Sequence, residues 1–249
     1  MFEQEGRRLK FGVMVPSTNT VVQTEFARMR PGGVSNHVSR IHIPDRPLTT
    51  EADFAALMER VQAELMAAVD RVMTCRPHAL IMGMSAETFW DGPEASARLA
   101  AELAARSGGL DVTLASDAFG PAIRAHGDIR RLAVLTPYQK AGEDKVVRFF
   151  EGLGFEVVAV GGVQAPGPVE MADLSPRIIR DALIRLNDPA VEAIVQLGTN
   201  LPMARLAAVA EFWLDKPVIA VNTALYWHAL RRAGIMDRIE GFGALLAAH

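Results

Sequence analysis

One pattern occurs twice in this chain: ALIMGMS at residues 79–85 and AIVQLGTN at residues 193–200. Each copy is an apolar run that ends in a glycine, Gly83 or Gly198, and continues into small or polar residues. A short apolar run with such boundaries is typical of a strand covered on both faces, as the strands of parallel sheets are. Because the two copies lie nearly half the chain length apart, they predict two lobes built on one plan.

Strand-like and helix-like segments alternate along the rest of the chain. This alternation predicts an α/β fold with two similar Rossmann-like lobes, each a parallel sheet flanked by helices, related by pseudo-twofold symmetry. We expect residues 1–116 and 223–249 to form the first lobe and residues 117–222 to form the second. The predicted strands span residues 10–15, 35–43, 78–84, 111–115, 132–136, 156–161, 193–198 and 217–221, and the clearest helices span 51–74, 94–107, 141–152 and 175–187.

Polar turns follow the first predicted strand of each lobe. VPSTNT at residues 15–20 and LTPYQK at residues 135–140 both place a proline and polar residues after an apolar run. In parallel sheets, ligands bind outside the carboxyl ends of the strands, where helix N-termini present free N–H groups. Two lobes that face each other through these ends would enclose one cleft rich in hydroxyl, amide and backbone donors. Such a cleft suits a small carboxylate, although the same residue types also serve as ordinary helix caps.

Charge and composition narrow the functional classes. A net charge of −3 does not favour nucleic acid or an anionic membrane as a partner. The single cysteine, Cys75, excludes an intrachain disulfide and a multi-cysteine metal site. With no signal-like N-terminus and no apolar run long enough for a membrane span, we expect a cytoplasmic protein. The histidines lack metal-ligand spacing and no dinucleotide-binding glycine motif follows the first strand, so we expect no metal and no cofactor.

Four short motifs, in order along the chain, resemble those of a known superfamily. VPSTNT at 15–20, MGMS at 82–85, LTPY at 135–138 and GTNLP at 198–202 are similar to motifs of the aspartate/glutamate racemase superfamily, in its arylmalonate decarboxylase and maleate cis–trans isomerase branch. The resemblance implies cofactor-independent chemistry at a carbon beside a carboxylate. It also implies two thiols, one from each lobe, that act on opposite faces of a planar intermediate; arylmalonate decarboxylases keep only the second.

The resemblance places glycine at both thiol positions of this chain, Gly83 and Gly198. We expect this departure to leave more room in the cleft, enough for an aryl or branched substituent. Cys75 does not replace a thiol, because it precedes the strand that Gly83 ends.

The resemblance further implies which residues hold the substrate. Asn19 and Tyr138 would bind one carboxylate, and the hydroxyl of Ser85 with nearby backbone N–H groups would form part of an oxyanion cradle. Helix capping by Asn19 and packing by Tyr138 are the structural alternatives. The full set of expected substrate-binding residues is Ser17, Thr18, Asn19, Met84, Ser85, Tyr138, Thr199 and Asn200.

A carboxylate could replace the missing thiols. Glu87 follows Ser85 in a segment that could close over the cleft, where desolvation by aromatic residues would let it act as acid or base. A solvated loop carboxylate is the plain alternative.

Three functional classes stay open on the sequence. The first is a lyase or isomerase (decarboxylase, cis–trans isomerase or racemase-like) that acts on a small mono- or dicarboxylate with a non-cysteine or water proton donor. The second is a hydrolase using the same cleft, and the third is a non-catalytic or regulatory carboxylate-binding protein. Apolar helix faces would bury equally well between lobes or between subunits, so a homo-oligomer is also open.

Overall fold

The computed structural model of the protein describes residues 5–46, 50–86, 92–138 and 140–249. Within these ranges the chain forms two four-stranded parallel sheets, which confirms the predicted α/β fold with two similar lobes. The first sheet contains β1 (Leu9–Pro16), β2 (Val34–Ile41), β3 (Ala79–Met82) and β4 (Asp111–Thr113), and the second contains β5 (Arg131–Thr136), β6 (Glu156–Gly162), β7 (Ala193–Gln196) and β8 (Val218–Ala220). The strands run in the order β2-β1-β3-β4 in one sheet and β6-β5-β7-β8 in the other, so both lobes share one topology.

Helices connect the strands, as the crossovers between parallel strands require. Across the described ranges, every helix is too short or too polar to span a membrane. The helices are α1 (Val22–Met29), α2 (Glu51–Met73), α3 (Pro93–Arg106), α4 (Ala115–Ala125), α5 (Lys140–Gly152), α6 (Pro176–Leu186), α7 (Ala204–Leu214), α8 (Val221–Arg232) and α9 (Ala244–Ala248).

The longest helix, α2, shows why these sequences fold locally as they do. Thr50 and Asp53 form a capping box at its start, in which the Thr50 hydroxyl accepts from the Asp53 N–H at 3.1 Å. Apolar residues at helical spacing, including Val61, Leu65 and Val72, are buried against the first sheet.

Strands β3 and β7 are shorter than the sequence pattern predicts. The runs predicted over residues 78–84 and 193–198 end at Met82 and Gln196, so Gly83 and Gly198 lie just beyond the sheets. Gly198 has a φ of +95°, a conformation that turns the chain out of the strand direction. Both glycines therefore begin the loops that follow β3 and β7, rather than ending the strands.

The second sheet lies between two clusters of buried apolar side chains, one on each of its faces. Val134 and Val195 belong to a continuous core shared with the first lobe, whereas Leu135 and Ile194 belong to a second cluster with α6 and α7. This alternation follows from the opposite directions of successive side chains in a strand. Helix α8 contacts β3 and β4 of the first sheet as well as β8 of the second. The lobe boundaries at residues 116 and 222 stay a prediction.

We predict that Gly12→Ala in the central strand β1 destabilises the protein by about 1–3 kcal/mol, as overpacking of a dense core does. An added Cβ would lie 2.8 Å from Leu80 Cδ2 and 3.1 Å from both Cγ atoms of Val72. Urea unfolding measures the effect, with Gly152→Ala as the matched control. A Cβ at Gly152 meets no atom within 4 Å, so this helical substitution is expected to be neutral or stabilising by up to about 1 kcal/mol. Equal effects of the two substitutions would contradict the packing of α2 and β3 around Gly12.

Candidate functional site

A cleft opens where the carboxyl ends of β1, β3, β5 and β7 meet. It contains about 450 Å³ of space, part of which is open to solvent. Most of the residues predicted from the sequence line it together: Thr18, Asn19, Met84, Ser85, Tyr138, Gly198, Thr199 and Asn200. Ser17 and Gly83 are not part of this lining, and Glu87 lies outside the described residues.

Three backbone N–H groups at the cleft are available to a ligand. Those of Met84, Thr199 and Asn200 make no hydrogen bond to any group in the described ranges. Of the described residues that line the cleft, none carries a charged side chain. Because an N–H group that lacks a partner is costly to bury, this arrangement favours a bound anion or water. An anion here would be held by neutral dipoles rather than by an ion pair.

A pair of hydroxyl groups joins the two lobes at the cleft. The Ser85 hydroxyl lies 3.3 Å from the Tyr138 hydroxyl, and either can donate to the other. Both residues are buried, and the Tyr138 N–H donates to Thr136 Oγ1 at 3.3 Å. The geometry therefore fixes two O–H groups from different lobes beside one another.

Asn19 caps a helix and contacts the second lobe at the same time. Its Oδ1 accepts from the N–H groups of Val21 and Val22, each at 3.0 Å, at the start of α1. Its Nδ2 donates to Thr199 Oγ1 at 3.2 Å. The capping alternative is therefore correct for the carbonyl of this amide, and at most one Nδ2 hydrogen is available to a ligand.

The structure does not support direct substrate contacts from the side chains of Asn200 and Ser17. Asn200 Oδ1 accepts from the Thr20 N–H at 2.9 Å, while its Nδ2 donates to Pro168 O at 2.6 Å and to Thr18 O at 3.4 Å. The Ser17 hydroxyl exchanges hydrogen bonds with the backbone N–H and carbonyl of Ile43, both at 3.0 Å. The side-chain polar atoms of both residues tie loops together. Of these two residues, Asn200 alone lines the cleft, and its backbone N–H lacks a partner in the described ranges.

A buried carboxylate beneath the cleft escaped the sequence analysis. Glu25 in α1 is 7% exposed, and burial raises its pKa above the usual value, although hydrogen bonds from Asn222 and the start of α7 oppose that shift. The spacing of Val22, Glu25, Phe26 and Met29 puts the glutamate on the apolar face of α1, which is a signal that could have identified it.

The two glycines do not widen the cleft, contrary to the expectation. A Cβ added at Gly83 would lie 2.9 Å from Val15 Cγ2 and 3.0 Å from Val22 Cγ1. A Cβ at Gly198 would lie 2.5 Å from Pro137 Cγ. The space that a side chain would fill is therefore already occupied by protein at both positions.

The only cysteine of the chain lies away from the cleft. Cys75 follows α2 and precedes β3, whereas Met84 and Ser85 of the cleft follow that strand. Its thiol donates to Val72 O at 3.1 Å. As expected from the sequence, the thiol of Cys75 does not reach the cleft.

We predict that Gly198→Ala is strongly destabilising. The added Cβ would contact Pro137, and the φ of +95° is unfavourable for any side chain, so contact and strain together cost about 2–5 kcal/mol. Gly154→Ala is the matched control, since Gly154 has a φ of +90° but no atom within 4 Å of the added Cβ. Urea unfolding should give a loss of only about 1–2 kcal/mol for the control. If Gly198→Ala lowers the free energy of unfolding no more than Gly154→Ala does, the contact with Pro137 is not the cause of the destabilisation.

Comparisons with known proteins agree with this fold. The sequence model of the family described as "Arylmalonate decarboxylase" matches residues 11–246. A maleate isomerase of Geobacillus stearothermophilus is 22% identical over 97% of this chain and 98% of its own length.

Two solved structures share the architecture. A variant of Nocardia farcinica maleate cis–trans isomerase with a covalently bound succinylcysteine intermediate gives a TM-score of 0.86 at 24% identity, covering 97% of this chain and 99% of that one. An arylmalonate decarboxylase gives a TM-score of 0.79 at 20% identity, covering 95% of this chain and 98% of that one. The family match spans both lobes and confirms the resemblance found in the sequence: the chain belongs to the arylmalonate decarboxylase family.

Proposed function

We propose that this protein is a cofactor-independent lyase or isomerase that acts on a small mono- or dicarboxylate bound between its two lobes. One observation carries the proposal: the unpartnered N–H groups of Met84, Thr199 and Asn200 line the same cleft as the Ser85–Tyr138 hydroxyl pair. Donors from both lobes thus line one cleft. The relatives named above are isomerases and decarboxylases, which supports the same reaction class.

The position of the cysteine favours proton transfer over thiol addition. The Nocardia relative carries a covalently bound succinylcysteine, but the only thiol of this chain, that of Cys75, lies at the opposite end of β3 from the cleft. We therefore favour a reaction in which a carboxylate-stabilised carbanion forms and is protonated, as in decarboxylation of a malonate. In that step the bond between carbon and the departing CO2 breaks, and its electron pair remains as an enediolate. A proton from water or from a hydroxyl group then adds to carbon.

The neutral donors of the cleft suit that intermediate. An enediolate concentrates negative charge on the oxygens of the remaining carboxylate, and fixed N–H and O–H dipoles stabilise such charge without reorganising. Tyr138 and Ser85 bring hydroxyls from opposite lobes, while Met84 and Thr199 bring backbone donors. Asn19 adds at most one amide hydrogen.

A binding or regulatory role is the second candidate. The placement of Cys75 away from the cleft supports it, since the Nocardia relative with the covalently bound succinylcysteine is only 24% identical to this chain. The hydrolase alternative depended on extra room beside Gly83 and Gly198, and that space is filled by Val15, Val22 and Pro137.

We predict that the protein exchanges or transforms a carboxylate in D2O. Incubation with maleate, aryl- and alkylmalonates, aspartate and glutamate, followed by NMR, should reveal deuterium at carbon, isomerisation or loss of CO2 in one class of compound. Such a result would establish the reaction class directly. Anion-dependent shifts of the amide resonances of Met84, Thr199 and Asn200 without any turnover would instead establish the binding role.

We predict that Tyr138→Phe lowers kcat/KM by about 10²–10³-fold, the usual effect of removing one oxyanion donor. Tyr226→Phe is the matched control, because the chain has two tyrosines and the Tyr226 hydroxyl donates to Asn36 Oδ1 at 3.1 Å, away from the cleft. Loss of that bond should cost about 1 kcal/mol of stability and leave kcat/KM within about threefold. Comparable activity of the two variants would rule out the Tyr138 hydroxyl as a transition-state donor.

A further inference from the structure

Among the described residues, the groups that donate hydrogen bonds to the Glu25 carboxyl all come from the second half of the chain. Its Oε1 accepts from the Ala204 N–H at 2.9 Å, and its Oε2 accepts from Asn222 Nδ2 at 2.7 Å. The N–H of Met203 is a further donor to the same carboxyl group. Every one of these partners is a donor, so the ionised form satisfies them all, whereas a protonated carboxyl would oppose one of them. A charge that is so costly to bury requires such partners.

Asn222 transmits the orientation of this carboxylate to the cleft loop. Its Nδ2 donates both to Glu25 Oε2 and to Thr199 O, the latter at 2.9 Å. Its Oδ1 is buried and has no hydrogen-bond partner among the residues that the structure describes. A reversed amide would turn this oxygen toward the carboxylate and the carbonyl, so the charge of Glu25 fixes the amide in the orientation that leaves Oδ1 without a partner.

The fixed carbonyl in turn sets the direction of a cleft donor. The described chain has no cis peptide bonds, and in a trans peptide the N–H points opposite to the preceding carbonyl. The Thr199 carbonyl points to Asn222, which does not line the cleft, while Asn200 does. The N–H of Asn200 is therefore directed away from Asn222 and lacks a partner in the part of the chain that the structure describes.

We infer that Glu25 is a positioning residue that, through Asn222 and the Thr199 carbonyl, holds the Asn200 N–H toward the cleft as a donor to the substrate carboxylate. The inference rests on the proposed carboxylate-binding function and adds to it a residue that does not touch the ligand. A structural role for Glu25 alone would explain its contact with α7, but not the second hydrogen bond from Asn222 to the cleft loop.

The same contacts make the loop after β7, which carries Thr199 and Asn200, sensitive to pH. Burial raises the pKa of Glu25, with hydrogen bonds from Asn222 and α7 and the charge of Arg28 on its own helix acting in the opposite direction. From α7 and α8, the groups acting on the carboxyl are two N–H groups and one amide, none of which titrates. As pH falls through the raised pKa, Glu25 gains a proton and can no longer accept from all its donors. The Asn222 contact should then weaken at a higher pH than for an ordinary glutamate.

The test compares Glu25→Gln with Glu211→Gln. Glu211 is half-buried, whereas Glu25 is buried, but the pKa of Glu211 is likewise raised by burial and it likewise caps a helix, since it accepts from the Ala244 N–H at 2.8 Å. It lies outside the cleft lining. In ¹H–¹⁵N spectra without ligand, Glu25→Gln should shift the Asn222 side-chain amide and the Asn200 backbone amide, and Glu211→Gln should shift neither. Titration with maleate and with phenylmalonate should then give about tenfold weaker binding for Glu25→Gln, the effect of one misplaced donor.

Several outcomes would overturn the inference. Glu25 is structural if Glu25→Gln lowers stability but leaves the Asn200 amide resonance in place and the anion affinity within about twofold of wild type. If the wild type binds neither anion, the proposed function fails, but the ligand-free spectra still decide the positioning role. If Glu25→Gln does not fold, the wild-type resonances of Asn222 and Asn200 are followed from about pH 8 to 4. If both resonances shift with the same midpoint, above the ordinary glutamate range, the inference is supported. If neither resonance shifts with pH while the protein stays folded, the inference is contradicted.

Discussion

Hydrogen bonds link the loop after β7 to the loops after β1 and β3 at the centre of this molecule. Asn19 donates to Thr199, Asn200 accepts from the Thr20 N–H, and Thr199 Oγ1 donates to Gly83 O at 3.3 Å. Each such bond contributes only about 0.5–1.5 kcal/mol net, but leaving one of these buried groups unpaired would cost more. The two parallel sheets therefore face each other through their carboxyl ends. The cleft exists because they meet there.

This constraint explains why several cleft residues have two roles. Asn19 caps α1 with its oxygen and contacts the second lobe with its nitrogen, while the Asn200 side chain is fully occupied in joining loops. What remains for a ligand is mainly backbone N–H groups and the Ser85–Tyr138 pair. Because those donors are neutral and held by loops fixed on both sides, they can stabilise negative charge without moving.

The buried carboxylate of Glu25 extends the same contact network one layer further from the cleft. It joins α1 to α7 and, through Asn222, reaches the loop after β7. A buried charge adds little to stability compared with well-packed apolar residues, so its value lies in fixing the orientation of the groups around it. The unpartnered Oδ1 of Asn222 is consistent with that role, since one amide orientation is imposed at the expense of a hydrogen bond.

The amino-acid pattern was sufficient for the fold class and the twofold repetition, because these depend on local periodicity and on where strands end, whereas most cleft residues were named through the resemblance to a known superfamily. The apolar runs before Gly83 and Gly198 had to become buried strands, and the residues after parallel strands gather at one edge. The directions of side chains and amides could not be predicted in that way. Whether a Cβ at Gly83 would face the cleft, whether Asn200 is available to a ligand and whether Glu25 is buried all depend on Val15, Pro168 and Asn222. Those partners come from a strand, a loop and a helix elsewhere in the chain, up to 197 positions away, and only the packing of the two lobes brings them into contact.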